Sequence, residues 1–297
     1  MTDTNWAFAQ YENVRKRLPL SVANGASVRV SDLGVLADDF DVFLFDAFGV
    51  LNVGNTPIIG APERVAALQA MGKRTLVLTN GASFPASERL PTYRRYGYNF
   101  AADDVISSRD VLADHLATLP SIRWAAMAPQ GASIEGLGVA FDLLEDAPET
   151  YANAEGFLLL GSQIWNESRQ IKLTEALISN PCPVLVGNPD LIAPYELGFS
   201  FQPGLYAHWL ADKTGVEPVF FGKPFAGMFR EAVRRFGAVP PERVLMIGDT
   251  LHTDILGGAA AGFKTLLIED HGMFKGADIA PYIEESGIAP DFIAPTI

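Results

Sequence analysis

Val42-Phe43-Leu44-Phe45-Asp46-Ala47-Phe48-Gly49-Val50-Leu51 is the stretch whose reading decides the fold. Four apolar residues run straight into one acid, and a glycine follows three positions later. A continuous apolar run of this kind reads as a strand buried on both faces, which belongs in a parallel sheet covered by helices. A carboxylate at the end of such a strand is costly to bury unless something pairs with it. The partners must come from elsewhere in the chain.

Similar runs recur on either side. Thr75-Leu76-Val77-Leu78 ends in Thr79-Asn80-Gly81, and Val244-Leu245-Met246-Ile247 ends in Gly248-Asp249. Shorter strands are predicted over 105–108 and 265–268, with helices over 62–71, 85–96, 109–117 and 226–236. Pro62 suits a first helical turn, and Gly72 suits the end of that helix. Val219-Phe220-Phe221 reads as another strand of this series, running into Gly222-Lys223-Pro224, and 290–293 as an edge strand. Strand and helix alternate, so the fold class is α/β with a parallel sheet, and ligands belong beyond the carboxyl ends of the strands.

A second alternating series has strands over 123–127, 156–160 and 183–186 and helices over 167–178 and 205–214. It predicts a separate α/β unit over 115–216, inserted into a core of 1–114 plus 217–297. Residues 1–40 form an N-terminal extension with a short helix over 7–18, to which only a packing role can be given.

At 297 residues the length suits two domains. The formal charge of −13 and the lack of a basic stripe argue against a nucleic-acid partner. No apolar run approaches the roughly 18 residues of a membrane span. The single cysteine, Cys182, excludes an internal disulfide and fits a reducing cytoplasm. Residues 1–6 carry neither the basic region nor the apolar core of a signal peptide, so a cytoplasmic location is expected.

Asp46, Asp249 and Asp254 are the first candidate constellation. Three carboxylates at one end of a sheet repel each other and raise their own pKa values, a penalty that a hard divalent cation removes. Magnesium suits a site of few carboxylates completed by water. Thr79 and Lys223 are the second. A hydroxyl and backbone N–H groups at a strand end can hold phosphate oxygens, and an ammonium neutralises charge on phosphate and carboxylate alike. Together these residues suggest phosphoryl transfer, with Asp46 as nucleophile. Asn188 and Asp190 follow a predicted strand; they could face the cleft or form an ordinary Asn-Pro turn. Trp124, Trp165, Trp209 and His208 read as core rather than ligand.

The ordered set Asp46-Ala47-Phe48-Gly49-Val50, Leu78-Thr79-Asn80-Gly81, Gly222-Lys223-Pro224 and Gly248 to Asp254 resembles the haloacid dehalogenase (HAD) superfamily. The long insertion between Thr79 and Lys223, and Gly187-Asn188-Pro189-Asp190 within it, resemble class IIA, the NagD-type and p-nitrophenyl-phosphatase-like group. The resemblance covers about residues 40–297. It implies a Rossmann-like parallel-sheet core with an inserted α/β cap domain, and a Mg2+-dependent phosphatase of a small phosphorylated metabolite, a sugar phosphate being one candidate. It implies Asp46 as nucleophile and metal ligand, the Phe48 backbone carbonyl and Asp249 as metal ligands, and Asp254 as a direct or water-mediated one. Thr79 would bind phosphate, Lys223 would stabilise charge, and Asn80 and Gly81 would belong to the phosphate loop. A homodimer through the cap is also implied.

The sequence departs from that pattern at Phe48, where phosphatases of the superfamily usually carry a second aspartate that protonates the leaving group. General acid–base help is worth about two to four powers of ten. Slow turnover, a substrate with a good leaving group or a substitute acid is therefore expected, His252 being a candidate substitute. Two other readings stand beside the phosphatase: a catalytically weak phosphoryl-binding or regulatory protein, and a metal-free dehalogenase-type hydrolase.

Overall fold

A computed structural model of the protein describes residues 3–20, 25–195 and 198–297. The core is a seven-stranded, all-parallel sheet. Its order is Val28–Arg29, Phe292–Ala294, Lys264–Ile268, Val244–Gly248, Val42–Phe45, Arg74–Thr79 and Val105–Ser107. All four residues of Val42–Phe45 are buried, and the strand feeds two separate cores. Phe43 and Phe45 pack on the face covered by helix Ala61–Ala70, whereas Val42 and Leu44 pack on the face covered by helix Ala226–Phe236. Burying each such side chain is worth about 1.5–3 kcal/mol, which explains why no polar residue is tolerated before Asp46.

From Val42–Phe45 the chain crosses to Arg74–Thr79 on one side and later returns to Val244–Gly248 on the other. That reversal leaves a crevice at the carboxyl ends of the three central strands, the usual ligand position in open α/β sheets. Asp46, Thr79 and Asp249 all lie at this edge.

The second sheet is also parallel, in the order Val219–Phe220, Val184–Val186, Gly156–Leu159, Trp124–Met127 and Phe141–Leu143. Two expectations need correction. Val219–Phe220 pairs with Val184–Val186 in the second sheet and not with the first series; at two residues it is too short for its apolar pattern to say which sheet it joins. The strand near the C-terminus is not an edge, because Val28–Arg29 from the N-terminal extension pairs outside it. An antiparallel hairpin, Ile192–Tyr195 with Gly198–Phe201, projects from the second unit towards the crevice. Trp124 and Trp165 are core residues and His208 is buried, but Trp209 is 39% exposed.

The N-terminal extension has more than a packing role. Asp3 caps helix Thr4–Asn13, its carboxylate accepting from Trp6 N. Tyr11 from this helix stacks on His252 of the core, with ring centroids 5.0 Å apart, and its hydroxyl accepts from Leu191 N of the inserted unit at 3.2 Å. Arg17 then pairs with Asp212 and Glu217 of that same unit.

Candidate active site

Three loops meet under one lysine. Lys223 Nζ donates to Asp46 Oδ1 at 2.5 Å and to Asp254 Oδ1 at 2.6 Å. Asp249 completes the group: carboxylate oxygens of Asp46, Asp249 and Asp254 lie within 4.8 Å of one another. The loop bearing Asp249 and Asp254 is wound tightly, with a π-helical turn over Leu251–Ile255 before helix Leu256–Ala260. Such turns re-aim side chains and recur at functional sites. Here it brings Asp254, five residues after Asp249, back beside the strand end, where its Oδ2 accepts from Thr250 N at 3.2 Å. Asp249 is fixed by Thr250 Oγ1 at 2.9 Å and by Met273 N at 2.8 Å. Gly49, at φ +83°, makes room for it: a β-carbon there would sit 2.6 Å from Asp249 Cγ.

The electrostatics follow from burial. Loss of water raises the Asp46 carboxyl well above the usual range; Lys223 opposes this, and the charges of Asp254 and Asp249 add to it. Burial and the neighbouring Asp254 push Asp249 up to about 7. Burial alone would lower the Lys223 ammonium, but Asp254 and Asp46 outweigh it and hold it above its ordinary value. One ammonium against three carboxylates leaves a deficit of positive charge. An all-oxygen set this close suits a hard divalent cation. The cluster fits a metal ion on both counts.

Thr79 is buried and faces the same cavity, its Oγ1 accepting from Gly81 N at 3.2 Å. Asn80 lines the cavity between Thr79 and Gly81, and its side chain is also committed within the protein. Its Nδ2 donates to Asp190 Oδ1 at 2.8 Å and to the Lys223 carbonyl at 3.0 Å, and its Oδ1 accepts from Lys223 N at 2.8 Å. The side chain therefore ties the Thr79 loop, the Lys223 loop and the inserted unit together, with both donors engaged inside the protein. Asn188 and Asp190 do line the cavity; Asn188 Oδ1 accepts from Asp190 N. Burial pushes the Asp190 carboxyl up to about 6.

His252 does not reach the reaction space. It is fully buried on the other side of its loop, with Nε2 2.5 Å from Glu12 Oε1. Proximity in sequence to the metal acids was a poor guide because the π-helical turn sends adjacent side chains in different directions. Phe48 does line the cavity, and its ring stacks on Tyr195 of the projecting hairpin at 6.4 Å between centroids. Thr250, Tyr195 and Arg89 also line it and escaped the sequence reading. Thr250 follows Asp249 directly and was within reach of it; Tyr195 lies in a hairpin that Pro194 disguises as a turn.

A buried acid, a lysine, a hydroxyl and two further carboxylates that could hold a metal ion thus meet at the switch point of a two-unit α/β fold, where such folds place their ligands. Residues 43–136 match the haloacid dehalogenase-like hydrolase family, and residues 220–297 match the HAD-hydrolase-like family. Human glycerol-3-phosphate phosphatase is 30% identical over 293 residues, spanning 88% of this chain and 90% of that protein. The p-nitrophenyl phosphatase of Archaeoglobus fulgidus superposes with a TM-score of 0.71 at 26% identity, over 87% of this chain and 97% of the other. A glycerol phosphate phosphatase from Mycobacterium tuberculosis, solved in complex with magnesium, gives 0.66 at 26% identity over 87% and 75%. The chain belongs to the haloacid dehalogenase-like hydrolases and, by its inserted α/β unit, to their class IIA. It is a hydrolase of the type that acts on phosphoric monoesters.

Proposed function

We propose that the protein is a Mg2+-dependent phosphatase of a small phosphorylated metabolite, working through an aspartyl-phosphate. The observation that carries this reading is the Asp46, Asp249 and Asp254 cluster, bridged by Lys223 and open to a cavity of about 430 Å3. Relatives named for glycerol-3-phosphate and p-nitrophenyl phosphate support the substrate class, and the mycobacterial neighbour supports the metal. Magnesium, held by Asp46, Asp249, Asp254 and the Phe48 carbonyl, would supply positive charge opposite the phosphoryl oxygens.

The chain's own groups do the rest. Asp46 attacks phosphorus; the bond to the ester oxygen breaks, and that oxygen leaves as an alkoxide or phenolate that takes its proton from solvent water. Lys223 holds the carboxylate in place and balances charge on the transferring group, while Thr79 binds a phosphoryl oxygen. Water then attacks the acyl-phosphate, releasing phosphate and restoring Asp46. Phe48 can neither give nor take a proton, so a substrate with a good leaving group should turn over fastest. The purified protein should hydrolyse p-nitrophenyl phosphate with magnesium, and Asp46→Asn should abolish it. Activity that survives that substitution, or that needs no metal, sinks the proposal.

The Phe48–Tyr195 stack favours one second reading. Aromatic surface fills the position where an acid would stand, as it would in a protein that binds phosphoryl groups and turns them over weakly. Phe48→Asp separates the two: a large gain in rate supports a phosphatase limited by proton transfer, and no gain supports the binding module.

A further inference from the structure

Arg89 is the one lysine or arginine that lines the cavity among the described residues; the acids lining it are Asp46, Glu88, Asp190 and Asp249. Lys223 is sealed beneath Asp46 and Asp254 and takes no part in the lining. Arg89 has no carboxylate partner and no hydrogen bond to any described residue, and its Nε is buried without a partner. Arg17, Arg64 and the fully buried Arg109 also keep one buried guanidinium nitrogen without a partner, but each is paired through its others: Arg64 with Asp32, Arg17 with Asp212 and Glu217, and Arg109 with the carbonyls of Ala82, Ser133 and Glu135. A buried donor left unmade is costly, and a guanidinium fork is shaped for a carboxylate or a phosphate.

The position is specific. Arg89 stands on helix Ala86–Arg95, and its guanidinium lies against Gly81, two residues beyond Thr79. A β-carbon at position 81 would collide with it, so the glycine makes the cradle in which the guanidinium rests. The charge thus sits on the cavity wall beside the phosphate loop, exposed to the cavity where Lys223 is not.

We infer that Arg89 receives a second anionic group on the leaving side of the substrate, so that the preferred substrate is a small phosphate ester carrying a carboxylate or a second phosphate. This rests on the phosphatase reading for its reaction but not for its binding site. An uncharged leaving group would face the guanidinium without satisfying it, and specificity of this kind comes from buried polar groups left unpaired by the wrong ligand.

The test compares 2-phosphoglycolate and ethane-1,2-diol bisphosphate with 2-hydroxyethyl phosphate, three esters of similar size. In parallel, calorimetry compares binding of phosphonoacetate and ethylphosphonate, which cannot be hydrolysed. The wild type should favour at least one of the two doubly anionic esters by about ten- to a hundredfold, and phosphonoacetate likewise where that ester is 2-phosphoglycolate. The ester with the higher kcat/KM identifies the second group as carboxylate or phosphate. Arg89→Met should collapse both preferences to within about threefold, Arg89→Lys should keep part of them, and Gly81→Ala, which displaces the guanidinium, should mimic Arg89→Met. Equal losses on all esters in Arg89→Met, or a wild type without preference in either assay, overturn the inference. If no ester is hydrolysed yet the phosphonate preference is present and lost in Arg89→Met, the anion site stands and the phosphatase reading fails.

Discussion

Asn80→Ala should cost about 4 kcal/mol of folding stability without any phosphate present. The side chain makes two neutral bonds with the Lys223 backbone, each worth about 1 kcal/mol, and one charge-assisted bond to Asp190, worth about 2 kcal/mol. The Lys223 backbone left behind is buried, so no water replaces those two bonds; Asp190 is half-buried on the cavity wall, which makes about 4 kcal/mol the upper end. The loss can be read from urea unfolding in phosphate-free buffer, followed by tryptophan fluorescence. An Asp190→Ala variant closes a double-mutant cycle, in which the coupling energy should be about 1–2 kcal/mol. A substrate-contacting asparagine that the fold does not need would lose activity but hardly any stability. A loss below about 1 kcal/mol, or a coupling near zero, therefore refutes the view of Asn80 as the tie between three loops.

Burial lowers His208 to about 4 from its ordinary 6.5, so the unfolded chain takes up a proton that the folded chain refuses; stability should fall by up to about 3 kcal/mol as pH drops from 6.5 to 4, and His208→Leu should flatten that limb of a Tm-against-pH plot. Tyr11→Phe removes the acceptor for the buried Leu191 N–H and should cost about 1–2 kcal/mol in urea unfolding, whereas breaking the partly exposed Arg17 pairs should cost under about 1 kcal/mol. Magnesium at a hundred times its Kd should stabilise the protein by about 2.7 kcal/mol in a thermal melt; chelation should reverse this and Asp249→Asn should abolish it.

What the sequence discloses here depends on how each residue is used. Val42–Phe45, Leu76–Leu78 and Val244–Ile247 are legible because strands buried on both faces are apolar throughout, and the polar residues that follow them stand out by contrast. Asp46, Thr79, Asp249 and Asp254 are found for that reason: each ends a buried run or stands in the turn after it, whereas Lys223 follows the short, partly exposed strand Val219–Phe220. Residues whose role depends on contacts distant in the chain gave no such sign. Asn80 reads as a phosphate-loop residue, but its ties to Lys223 and Asp190, 143 and 110 residues away, leave no mark in the sequence. Arg89 sits in a helix rich in charge, where a cavity-facing arginine is indistinguishable from a solvated one. Tyr11 and Glu12 lie about 240 residues from His252, and only the packed fold reveals that they meet.

The N-terminal helix sets a mechanical limit on how the cavity can be reached. Tyr11 grips both the loop that carries Asp254 and the loop that carries Asp190, and Arg17 adds two pairs to the inserted unit. Swinging that unit away as a whole would break all of these at once. The hairpin of Ile192–Tyr195 and Gly198–Phe201 is held at two points as well: Tyr195 stacks on Phe48 of the core, and Phe201 stacks on Trp6 of the N-terminal helix with ring centroids 5.2 Å apart. Opening the wall at this hairpin would therefore break two ring stacks, and the residue that stands in place of the expected acid holds one of them.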